Sequence, residues 1–208
     1  NIDLAGGADV LTLGAFTNTG TITNVETITG GSGASTITLG SVLTTSTTLD
    51  LAGGNDTVTL AAGTNTGSIT NVETIVGGSG ADTVTIIAAI SGASIDGAAG
   101  NDTIVLANAT NSGSLSNVET ITGGTGAETL TLSSGLTTSQ TIDLGAGNDK
   151  MTLATAGGTG SVTNIETIEG ASGADLLTLG NVLASGSIDL GSANDSVTMA
   201  NGTNSFSA

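Results

Sequence analysis

The chain has 208 residues, 34 of them glycine, with two phenylalanines and no tyrosine, tryptophan, proline, cysteine or histidine. Eighteen acidic residues against one basic residue give a net charge of −17, which excludes electrostatic attraction to nucleic acid or to an anionic bilayer. The missing cysteine and histidine exclude disulfides, thiolate chemistry and the common ligands of zinc, copper and haem.

In chain order, the first unit opens with Asp3, a glycine-containing turn and Asp9, followed by the alternating segment Leu11-Thr12-Leu13. The pentapeptide Asn24-Val25-Glu26-Thr27-Ile28 comes next, then the turn Gly30 to Ser35, and then Ile37-Thr38-Leu39. The whole order recurs every 46–47 residues: the pentapeptide starts again at Asn71, Asn117 and Asn164, and the paired aspartates return as Asp50/Asp56, Asp96/Asp102, Asp143/Asp149 and Asp189/Asp195. The second glycine-rich turn ends in turn at Ser35, Asp82, Glu128 and Asp175. Glu169 is the one acidic residue outside these registers. Self-similarity at a fixed period is the mark of a stacked array.

After each turn, the second and fourth residues are apolar and the residue between them is threonine, Val105 excepted. Such alternation predicts a strand with one buried face. No apolar run reaches the roughly 18 residues needed to span a membrane, so no membrane insertion is expected. The prediction is an all-β parallel β-solenoid of about nine stacked coils, two per repeat, about 43 Å long at one strand spacing per coil. The Ile/Val spacing around Ile22, Val25 and Ile28 predicts a second wall, bent by a corner near Asn24. Residues 1–208 form one repetitive segment, with repeats 1–47, 48–93, 94–140 and 141–186 and a partial repeat 187–208. Its abrupt start and finish suggest a segment of a longer array.

Stacking places equivalent turn acids in a column, about one coil spacing apart. Two unit charges at ~5 Å repel by roughly 0.8 kcal/mol in bulk water and roughly 3 kcal/mol at an effective dielectric of 20. Lys150 alone cannot neutralise such a column, so cations must come from solution. Carboxylates together with glycine-turn carbonyls are hard oxygen ligands suited to Ca²⁺.

The stretch Gly77-Gly78-Ser79-Gly80-Ala81-Asp82-Thr83-Val84 resembles the calcium-binding nonapeptide of the RTX (repeats-in-toxin) family. Gly123 to Glu128 fits with Glu in place of Asp, Gly170 to Asp175 lacks one glycine, and Gly30 to Ser35 lacks the acid. Turns such as Gly145 to Asp149 and Gly53 to Asp56 are shorter relatives. The resemblance implies calcium between stacked turns, with Asp9, Asp56, Asp82, Asp102, Asp149, Asp175 and Asp195 as ligands. Glu128 joins them with less support. Asp3, Asp50, Asp96, Asp143 and Asp189 either complete the cages or cap turn amides. Glu26, Glu73, Glu119 and Glu166 are expected on a solvated face or at an Asn-linked corner. RTX coils consist of two nine-residue half-turns, whereas the spacing here predicts longer coils with the motif on one side.

No nucleophile–base pair can be assembled from this composition, so no enzyme is expected. The expected role is structural: an extracellular, calcium-binding segment of a secreted Gram-negative surface protein, in a surface layer, adhesin stalk or filament. Its partners would be adjacent repeats or further copies in a homopolymer. The alternatives are recognition of glycan or ice through the threonine and asparagine columns, and a self-stacking filament unit.

Overall fold

The computed structural model describes residues 1–207, and all regular structure in them is β-strand. The strands form a 12-stranded and an 11-stranded sheet, and the chain passes from one to the other at each successive strand. Every pairing is parallel and joins a strand to the next but one in sequence. This is the expected parallel β-solenoid, with a number of turns close to the nine expected.

The relation of repeat to turn differs from the expectation. Each 46–47-residue repeat holds five strands rather than four, and so makes two and a half turns instead of two. In the first repeat they are Val10–Thr12, Thr19–Thr23, Thr27–Thr29, Thr36–Leu39 and Thr48–Asp50. Two of these carry little alternation to read. The register places Gly20 at an inward position opposite Ile37, and Thr27–Thr29 has Ile28 as its single inward residue. Residues stacked on one another lie 17, 20 or 21 apart in sequence. That range brackets two nine-residue half-turns, so the expected excess of coil length over RTX coils is absent. The glycine-rich turns also occur on both edges of the rod, not on one.

The half-turn remainder has a geometric consequence. Equivalent residues of consecutive repeats fall in opposite sheets: Leu11 and Ile104 lie in the 11-stranded sheet, Val58 and Met151 in the 12-stranded one. Inward residues from both sheets meet in one aliphatic core, in which Leu49, Val58, Ile142 and Met151 are fully buried. Each such side chain contributes roughly 1.5–3 kcal/mol by leaving water.

The corner predicted near Asn24 is present. Asn24, Asn71, Asn117 and Asn164 have φ of 53°, 53°, 51° and 55°, the left-handed conformation that asparagine tolerates better than most residues. Close stacking at the turns explains a second constant. A Cβ on Gly80 or Gly126 would overlap the main chain of the turn stacked against it, at Gly63 and Ala109 respectively.

Candidate calcium-binding carboxylate ladders

At the start of many strands, most often on the residue just before the first strand residue, polar side chains stack. On the edge leading into the 12-stranded sheet, one run is Asn18, Ser35, Asp56 and Glu73, and another is Asn111, Glu128, Asp149 and Glu166. The opposite edge carries Asn65, Asp82, Asp102 and Glu119 between the two shorter pairs Asp9/Glu26 and Asp175/Asp195. The expected single column is therefore divided into short ladders on alternating edges. The half-turn per repeat is the cause.

Each rung reaches back to the main chain of the rung before it. The Asp82 amide donates to Asp102 Oδ1 at 2.8 Å, and the Asp102 amide to Glu119 Oε2 at 2.8 Å. On the other edge, the Glu128 amide donates to Asp149 Oδ1 at 2.7 Å and the Asp149 amide to Glu166 Oε2 at 2.8 Å. The same arrangement links Ser35 to Asp56, Asp56 to Glu73, Asp9 to Glu26 and Asp175 to Asp195. The pentapeptide glutamates are thus partly buried amide caps, not members of a solvated face.

Asparagine begins the longer ladders. Asn65 Nδ2 donates to Asp82 Oδ1 and Asn111 Nδ2 to Glu128 Oε1, both at 2.9 Å. These asparagines escaped the sequence reading, although Asn-Thr/Ser-Gly recurs at Asn18, Asn65 and Asn111. Asp3, Asp50, Asp96 and Asp143 stand elsewhere. Their Oδ1 atoms accept the amide two residues on and the Nδ2 of Asn24, Asn71, Asn117 and Asn164 in the next turn. Asp189 Oδ1 likewise accepts the Gly191 amide.

One oxygen of most ladder carboxylates satisfies an amide, and the other is left over. Asp9 Oδ2, Asp56 Oδ2, Asp102 Oδ2, Glu128 Oε2, Asp149 Oδ2 and both oxygens of Asp175 are buried without a hydrogen-bond partner. Desolvation accordingly raises the pKa of Asp56, Asp102, Asp149 and Asp175, and carries Glu128 up to about 7. Neighbouring carboxylates add to the effect: Glu73 on Asp56, Asp82 on Asp102, Asp149 on Glu128 and Asp195 on Asp175. Lys150 offers the ladders no relief, because its Nζ pairs with Glu169 on the outer surface at 2.8 Å.

These shifts have a definite sign. A carboxyl whose pKa is raised on folding binds its proton more tightly in the folded chain, so stability without metal is greatest when it is protonated. For Glu128 that contribution is present below its ordinary value of 4.5 and lost as pH rises through about 7. In chelator, the melting temperature should therefore be higher at pH 5 than at pH 8. A flat or rising profile over that interval would contradict the burial described above.

The donor chemistry suits calcium. Orphaned carboxylate oxygens beside glycine-rich turns are hard, anionic and already stripped of water. Among the described residues no three acidic side chains converge on one point, so main-chain carbonyls would have to complete each cage. The profile of the RTX calcium-binding nonapeptide repeat (4 copies) matches residues 71–85 and 94–108, which contain Asp82 and Asp102. Comparisons with curated proteins and with solved structures gave no match.

Proposed function

Starting from a chain that carries RTX calcium-binding nonapeptide repeats, we propose that it is a non-catalytic, calcium-stiffened segment of a repetitive secreted protein, displayed on a Gram-negative cell surface. Surface layer, adhesin stalk and filament are the settings this fits. The observation that carries the reading is the recurrence of buried, unpartnered carboxylate oxygens on both edges of the rod. Asp9, Asp56, Asp82, Asp102, Asp149, Asp175, Asp195 and Glu128 would hold the metal, with turn carbonyls as further ligands. Bound calcium supplies positive charge to oxygens that have no other counter-ion.

The ladder residues do the rest. Hydrogen bonds from main-chain amides hold most of the carboxylates at a set height, and the packed core keeps water from the second oxygen of Asp56, Asp102 and Asp149. A chain with so many unrelieved charges would stay unfolded where calcium is scarce and fold where it is millimolar. Adjacent repeats, or further copies end to end, would be its partners. The test is labelling of intact producing cells with antibody raised to this segment. Surface signal that falls after a chelator wash is expected, and signal seen only after permeabilisation would refute surface display.

A further inference from the structure

We propose that the second repeat carries a binding pocket for a primary carboxamide group, of the kind a glutamine side chain bears, walled by Asn71, Val72 and Ala93. The proposal is independent of the calcium reading. A cavity of about 120 Å³ lies there, with the buried Ile69 and Ile86 as its apolar floor and the exposed Ser91 at its mouth. Its size is near that of the roughly 150 Å³ cavity that admits a benzene-sized molecule. It therefore takes a side-chain fragment and nothing as large as a sugar chain.

The third repeat shows what this space accommodates. Strand register makes Gln140 the counterpart of Ala93: each lies two residues before an inward isoleucine, Ile142 paired with Ile121 and Ile95 paired with Ile75. Gln140 is buried, and its Nε2 donates to the main-chain oxygen of Val118, the counterpart of Val72. Its Oε1 accepts the Thr137 amide. The side chain of Ala93 can make neither bond. A second partner is missing on the same wall. The amides of Asn24, Asn117 and Asn164 donate to side-chain oxygens of Ser41, Ser134 and Asn181, and beside Asn71 the corresponding residue is Ala88. Two residues lining the cavity thus carry a main-chain donor and a main-chain acceptor that the third repeat satisfies with its own side chains. A carboxamide brings the complement of both on one planar group. An ammonium group has no acceptor for the Asn71 amide, and a carboxylate has no donor for Val72 and is repelled by Glu73, which also lines the cavity.

Titration of the full, folded chain with propionamide and with N-acetylglutamine methylamide, followed through main-chain amide shifts by two-dimensional NMR, tests the idea. Both should give saturable shifts at Asn71, Val72 and Ala93. The tighter of the two tells whether the group arrives as a free amide or on a polypeptide. Propionate and N-acetylglucosamine should leave those signals in place. Ala93→Gln should abolish binding by filling the space from within, as Gln140 does in the third repeat. Ala88→Ser, which offers the Asn71 amide the hydroxyl that Ser41 offers Asn24, should weaken binding about tenfold, the worth of one hydrogen bond. Circular dichroism establishes that each variant is folded. No saturable shift with either amide, equal binding of propionate or the sugar, or a folded Ala93→Gln or Ala88→Ser that binds as the parent does, overturns the proposal.

Discussion

Stripping divalent cations should unfold most of the rod at neutral pH, and calcium should restore it. A ligand held at a hundred times its dissociation constant stabilises the folded state by about 2.7 kcal/mol per site. A few such sites together match the roughly 5–15 kcal/mol by which domains of this size are usually stable. The loss is large here because nothing else in the chain takes over the metal's role. Asp56, Asp102 and Asp149 are each 1% exposed with an unpartnered oxygen, and the one lysine is engaged with Glu169. Far-UV circular dichroism through a chelation and re-addition cycle is the measurement. Calcium should restore the β signal better than magnesium, which demands near-ideal octahedral geometry and gives up its water reluctantly. A melting curve indifferent to chelator would mean that the ladders are tolerated as neutral acids.

Truncating Leu177 and Leu176 should give opposite results, although they are adjacent on strand Asp175–Leu179. Leu177 is fully buried, in register between Gly160 and Val197, whereas Leu176 is 44% exposed. Leu177→Ala removes core contacts that the stacked turns above and below cannot close over, and should cost about 2–5 kcal/mol. Leu176→Ala should stay within about 0.5 kcal/mol of the parent. Chemical denaturation at fixed, saturating calcium would show the difference as a shift in midpoint at constant slope. Equal losses would mean that the inward register of this strand has been misjudged.

Much of this molecule was legible from its residues. The Leu11/Leu13, Val58/Leu60 and Ile104/Leu106 pairs announced a one-sided strand; Val58, Leu60, Ile104 and Leu106 lie in the core, and Leu11 and Leu13, at the first turn, pack against it partly buried. Of the turn acids singled out, Asp56, Asp82, Asp102, Glu128, Asp149 and Asp175 are buried, whereas Asp9 and Asp195 near the two ends are partly buried. Strands without a clear pattern were missed. Thr66–Thr70 has Gly67 where its neighbour Val84 faces inward, which leaves Ile69 as its single apolar inward residue and no alternation to read. Of the two places expected for them, the glutamates stand beside the asparagine corner and not on a solvated face. A charged side chain flanked by threonine reads as solvent-facing, and only the stacked turn shows the Asp102 amide that Glu119 caps.

Alternation, turn chemistry and the surplus of negative charge are local or compositional properties, and the amino-acid order alone determined them. Which turn lies on which was decided only in three dimensions. Parallel strand pairing sets that stacking between residues 17 to 21 apart, while the internal repeat runs to 46–47 residues. The two lengths are incommensurate by half a turn, so successive repeats present their acids on opposite edges. The ladders and their asparagine first rungs follow from that offset.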